Sequence, residues 1–219
     1  RKELSEIVYQ GQLLGRSNEM ATLADFAEPL KSGNFAGVMV VKGEAGIGKS
    51  RLTHTFQTSD YFQQFHAGWV VCQSNDILRE SFHPFVDWLR GRFDFLDGES
   101  DANNWIRFSN QLNDLIKAVP DQELIAELTR TSSVLAALIN ITVPDSLYEQ
   151  LDAKGRYENM LISLGALLRA ESLQAPLVLF MEDTHWLDED TGAFLSYFVR
   201  TLLAEPAKKY PIAIIATQR

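Results

Sequence analysis

Val38-Met39-Val40-Val41-Lys42-Gly43-Glu44-Ala45-Gly46-Ile47-Gly48-Lys49-Ser50-Arg51-Leu52 is the stretch whose reading decides the fold. An apolar run meets a glycine-rich segment of the form G-x-x-x-x-G-K-S, and a helical pattern begins near Arg51. Glycine is demanded where a backbone must turn tightly and bring its amide N–H groups close to phosphate oxygens with no Cβ in the way. Gly43, Gly46 and Gly48 meet that demand. Lys49 is then placed to reach β- and γ-phosphates, Ser50 to ligate Mg²⁺, and the positive end of the following helix to face the anion. Gly43 through Glu44, Ala45 and Ile47 to Arg51 therefore reads as a triphosphate cradle, the alternative being a plain glycine-rich turn.

Composition sets the limits around this motif. The chain has 219 residues, 46% hydrophobic and 22% charged, enough for one sizeable core, and length alone permits one domain or two small ones. The net charge of −9 opposes adsorption to DNA or to an anionic membrane, so neither nucleic acid nor membrane is the expected partner. Cys72 is the single cysteine and lies in the apolar run Trp69-Val70-Val71-Cys72, which fits a buried strand thiol and a reducing cytoplasm. No stretch approaches the roughly 18 consecutive apolar residues of a membrane span, and the N-terminus carries no signal pattern. A chain that starts at Arg1 reads as a piece cut from a longer one.

In chain order, residues 1–12 are uninformative, and Leu13-Leu14-Gly15-Arg16 leads into a helix. Ser17 can cap it, and Met20, Leu23, Phe26, Ala27 and Leu30 recur at helical spacing. The unbroken run Val38 to Val41 suits a parallel strand covered on both faces. Leu52, Thr55 and Phe56 mark the next helix face, and Trp69 to Cys72 a second buried strand; strand, helix, strand implies a parallel sheet. Pro84 suits the first turn of a helix turning Phe85, Leu89 and Phe93 inward. Residues 105–141 suggest two to four short helices, read as a helical insertion around 100–150, and a long helix from about Asp152 to Ala170 carries Tyr157, Met160, Leu161, Leu164, Leu167 and Leu168 on one stripe.

The second chemical landmark is Leu177-Val178-Leu179-Phe180-Met181 running into Glu182-Asp183. At a strand tip, one carboxylate can hold Mg²⁺ while its neighbour polarises the attacking water. Alone, such a pair reads as a solvated loop; downstream of a phosphate loop it reads as the other half of the site. Asp188 can cap the helix carrying Phe194, Leu195, Phe198, Val199 and Leu202. His54, His66 and His83 have no metal-ligand spacing.

Four stretches in a fixed order carry a family resemblance: Leu14-Gly15-Arg16 with Glu19 three positions on; Lys42 through Leu52; Glu182-Asp183-Thr184-His185-Trp186-Leu187-Asp188; and Ile214-Ile215-Ala216-Thr217-Gln218-Arg219. Together they closely resemble the AAA-like ATPase modules of the STAND class of signal-transduction ATPases. Those modules sit in LuxR-type transcription activators and in chains joined to nucleotide cyclase or protein kinase domains. The resemblance implies an α/β three-layer P-loop domain over residues 1–219, binding ATP with Mg²⁺. It implies Ser50 and Glu182 on the metal, Asp183 as candidate base, Gly15 and Arg16 beside the nucleotide, and Arg219 approaching the γ-phosphate. Gly15-Arg16 is otherwise a turn leading into a helix, and Arg219 otherwise a charged chain end. His185 and Trp186 are read as packing behind the acid pair rather than as catalytic groups.

The implied strand order places the phosphate-loop strand beside the Arg219 strand, then the Glu182 strand, with Trp69 to Cys72 at the edge and the ligand at the carboxyl ends. The family usually begins the acid pair with Asp, and here Glu182 stands first, so which acid does which job stays open. A fifth strand, a helical lid and a winged-helix part are expected beyond Arg219. Expected partners are ATP or ADP and other domains of the same longer chain, with nucleotide-dependent self-association of the full-length protein. Three functions follow: a slow ATPase switch, a nucleotide-gated interaction module without turnover, and a DNA-associated loader that the acidic charge disfavours.

Overall fold

A computed structural model describes residues 14–74, 80–205, 207 and 209–219; Leu13 and the residues before it, at the head of the expected 1–219 domain, lie outside these. In chain order the elements are α1 (Ser17–Ala27), β1 (Gly37–Lys42), α2 (Lys49–Gln57), α3 (Asp60–Gln63), β2 (Gly68–Gln73), α4 (His83–Arg92), α5 (Asp101–Ala118), α6 (Gln122–Leu138), α7 (Leu147–Gln150), α8 (Ala153–Gln174), β3 (Leu177–Glu182), α9 (Glu189–Ala204) and β4 (Ile212–Gln218). Short 3₁₀ turns follow α1 and β3. The strands form one parallel sheet in the order β1-β4-β3-β2, as expected.

Strand periodicity splits the interior in two, because successive side chains point to opposite faces. Leu177, Leu179 and Met181 join Val70, Cys72, Ile212 and Ile214 in a core roofed by α4, α5, α6, α8 and α9. Val178, Phe180, Ala213 and Ile215 join Leu23, Phe56 and Phe62 in a smaller core beneath α1, α2 and α3. This is the helix-sheet-helix sandwich that buried parallel strands require. Phe85 meets Phe194 edge-on at 4.9 Å in the larger core, and Phe56 lies 4.9 Å from Phe62 in the smaller.

Several expectations are corrected. Among the described residues β1 is an edge strand covered on one face: Met39 and Val41 pack inward, whereas Val38 and Val40 are 48% and 46% exposed. An apolar run reports burial of strands in general and cannot tell that the larger helical layer stops short of this edge. Ser17 is the first helical residue and Arg16 occupies the cap position of α1, with no side-chain capping bond. Thr53, not Thr55, is the buried threonine of α2.

The segment read as short helices is two long ones, of 18 and 17 residues, followed by the single turn of α7. It is also tied to the rest of the molecule: Arg169 of α8, buried, donates to Glu127 of α6 at 2.7 Å, and the Tyr210 hydroxyl before β4 donates to Asp121 at 3.2 Å. α8 itself is buried on all sides from Ser163 to Ala170, not along one stripe.

Candidate nucleotide-binding site

Register brings the carboxyl ends of the strands to one rim. Lys42 pairs with Gln218 and Gln73 with Glu182, so the loop after β1, the acid pair after β3 and Arg219 after β4 all leave from that rim. The glycine loop hangs from the sheet by the Gly43 N–H, which donates to the Gln218 carbonyl at 3.2 Å. Glu44, Ala45, Gly46 and Ile47 form its exposed outer bend, Ile47 being half exposed. Gly48 stands at the cap position of α2, followed by Lys49, Ser50 and Arg51 in the first helical turn.

The loop fits a phosphate-bearing ligand on observations of its own. Gly46 and Gly48 have φ of +78° and +95°, a region where side chains are strained, and nothing lies within 4 Å of where a Cβ would stand at either. The turn is therefore shaped by glycine yet open on that side. Among the described residues no side chain caps α2, as none caps α1 or α4, so the amides at its start have no side-chain acceptor, and the positive end of the helix faces the same side as the loop. Lys49 Nζ donates to the carbonyls of Gly43 and Glu44 at 2.8 and 3.0 Å, a folded-back position along the loop's own rim.

The expected metal ligands meet. Ser50 Oγ donates to Glu182 Oε1 at 2.5 Å, joining the start of α2 to the tip of β3 across the intervening β4. A hydroxyl beside a carboxylate is an oxygen donor set suited to a hard cation such as Mg²⁺ that keeps part of its water shell. Asp183 follows in the left-handed region at φ 55°, ψ 49°, which Asp tolerates better than most residues. Its side chain is 43% exposed.

Gly15, at φ +71°, turns the chain so that Arg16 reaches the loop: one guanidinium nitrogen donates to the Ile47 carbonyl at 3.3 Å and another to Glu19 at 2.6 Å. The Arg16 hydrogen bond holds the Glu19 carboxyl below its usual range. The structure thus joins the Gly15-Arg16 segment to the phosphate loop. Arg219 is exposed at the same rim, and among the described residues it makes no hydrogen bond or ion pair with the loop or the acid pair.

Sequence reasoning assigned no role to Thr217. Its hydroxyl accepts the Asp183 N–H at 2.9 Å, and its carbonyl accepts Thr184 Oγ1 at 3.0 Å, so β4 clamps the acid turn from the side. The signal was a hydroxyl residue, followed by Gln218, after the apolar run Ile212 to Ala216. Ser74, whose N–H donates to the Glu182 carbonyl at 3.2 Å, steadies the other flank. Asp188 caps α9 through Thr191, as expected, and also accepts the Phe82 N–H at 3.2 Å, fastening the turn before α4 to the acid-pair segment. Among the described residues no cluster of His, Cys, Asp and Glu could hold a metal through three such ligands, and no helix is long and apolar enough to cross a membrane.

Comparison with known proteins agrees with this geometry. An uncharacterised protein of Rhizobium meliloti (strain 1021) is 24% identical over 95% of this chain. The match takes in 19% of that relative, so the chain spans about a fifth of its length. The family model described as AAA ATPase domain matches residues 12–215. A glycine-rich loop at the carboxyl rim of a parallel sheet and a family match over nearly the whole chain lead to one conclusion: this chain belongs to the AAA ATPase domain family.

Proposed function

We propose that the chain is a slow ATPase switch of the STAND class, a module of a larger signalling or transcriptional regulator in the cytoplasm. The observation that carries it is the 2.5 Å contact between Ser50 and Glu182, which unites the phosphate loop and the strand-tip acids in one site. In this reading the amides and glycines of residues 43–48 bind the phosphates, Lys49 leaves its loop carbonyls for the β- and γ-phosphates, and Arg16 closes the loop's outer side. Ser50 and Glu182 hold Mg²⁺, whose charge offsets that of the phosphate oxygens. Asp183, exposed and held by Thr217, accepts a proton from the attacking water. Arg219 approaches the γ-phosphate by rotating about its side-chain bonds.

The much greater length of the matched relative supports a module working with other domains of one chain. Nucleotide-dependent self-association of the intact protein belongs to the same reading. Calorimetry and phosphate-release measurements on the intact protein test it. ATP binding that needs Mg²⁺, with turnover below about 1 s⁻¹, is the expected result. Binding without phosphate release would favour a nucleotide-gated interaction module, and no binding would end both readings.

A further inference from the structure

Both ring nitrogens of His185 are shut off from solvent and, among the described residues, have no hydrogen-bond partner, while the ring packs 5.0 Å from that of Trp186. A neutral imidazole carries one donor and one acceptor, and buried groups of this kind are nearly always partnered. Nδ1 lies 3.9 Å from Asp183 Oδ1, roughly an ångström beyond a hydrogen bond. The backbone between the two is fixed: Trp186 N–H donates to the Asp183 carbonyl at 2.9 Å, and Thr217 holds both Asp183 and Thr184. Only side-chain torsions remain to close the gap. The Asp183 carboxylate is free to move, since among the described residues it accepts no hydrogen bond. Catalytic hydrogen bonds are often long in ligand-free proteins and tighten in the substrate complex.

We propose that His185 is a positioning residue for Asp183: in the ATP-loaded protein its Nδ1–H donates to Asp183 Oδ1 and fixes the other carboxylate oxygen towards the attacking water. This rests on the reading of Asp183 as the base. His185 then acts through Asp183 and touches neither nucleotide nor metal.

The test is steady-state turnover and ATP affinity of the intact protein with His185→Phe, His185→Asn and His185→Gln, each checked for folding by thermal melting. His185→Phe keeps a ring and removes the donor, so kcat should fall about tenfold or more with KM unchanged. The amide nitrogen of Asn stands near the place of Nδ1, so His185→Asn should recover much of the loss; Gln reaches the place of Nε2 and should not. In an Asp183→Asn background, His185→Phe should cost nothing further. An impaired Asp183→Asn beside a fully active His185→Phe overturns the inference, as does equal loss in the Phe and Asn variants. A fully active Asp183→Asn overturns the reading of Asp183 beneath it, and this inference with it. Nitrogen NMR of the labelled histidines with Mg²⁺ and a non-hydrolysable ATP analogue serves without any variant: His185 should become the Nδ1–H tautomer on binding, and an unprotonated Nδ1 overturns the proposal.

Discussion

Thr217, on β4, accepts the backbone N–H of Asp183 at 2.9 Å, so the residue proposed as base is held by a strand that is not its own. Thr217 is 1% exposed, and its replacement would deprive that N–H of its acceptor. Thr217→Val keeps the shape and removes the acceptor. Stability should fall by about 1–2 kcal/mol, read by chemical denaturation, and turnover should fall more than ATP affinity. Unchanged turnover would mean that the clamp is structural only.

Lys49→Ala removes the one lysine of the loop while leaving its backbone intact. Its present partners are carbonyls at the exposed rim, so folding stability should change by less than about 0.5 kcal/mol. Triphosphate affinity should fall by roughly tenfold to a hundredfold, as for a lost charged hydrogen bond. Calorimetry that finds equal affinity in a folded variant would remove the phosphate-loop assignment.

The acid pair can be divided by amide substitution. Asp183→Asn should leave Mg²⁺-ATP binding intact and lower turnover by roughly 10²-fold or more. Glu182→Gln, which weakens the oxygen site shared with Ser50, should raise the Mg²⁺ concentration required. The opposite pattern would exchange the two roles.

Phe194 is fully buried against Phe85 and Phe198. Phe194→Ala should therefore destabilise the chain by about 3–5 kcal/mol, measurable in urea. A loss below about 1 kcal/mol would mean that α9 does not close this core.

Cys72 is inaccessible, and burial pushes its thiol pKa up. Folded protein should resist thiol reagents until it is denatured. The unfolded thiol ionises above about pH 8.5 while the folded one stays neutral, so this residue makes stability fall as pH rises beyond that point. Rapid labelling of native protein would contradict the strand's placement.

The strands were legible because each depends on a short local pattern, an apolar run; their order, and the placing of Ser50 beside Glu182, came from the family resemblance rather than from any local pattern. What stayed hidden depends on partners distant in the chain. Nothing local to Val38 and Val40 reveals that they stand exposed, and nothing near Asp121 or Glu127 reveals Tyr210 and Arg169. Thr217 was quoted as part of a motif, but its task exists only once β4 lies beside β3. Arg219 follows β4 at the rim from which the glycine loop also leaves, while any reach to a phosphate depends on side-chain rotation that sequence does not specify.

The pairing of β1 with β4 also sets an order of events during folding. Among the described residues the strand that pairs with Gly37 to Lys42 is Ala213 to Gln218, far later in the chain, whereas β2 and β3 can join sooner. Loop closure over such a separation is slow, and parallel pairings of this kind delay folding. The phosphate loop, hanging from Gln218 through Gly43, gains its platform only at that late step. A chain emerging from the ribosome should therefore acquire its helical half before it can grip a nucleotide.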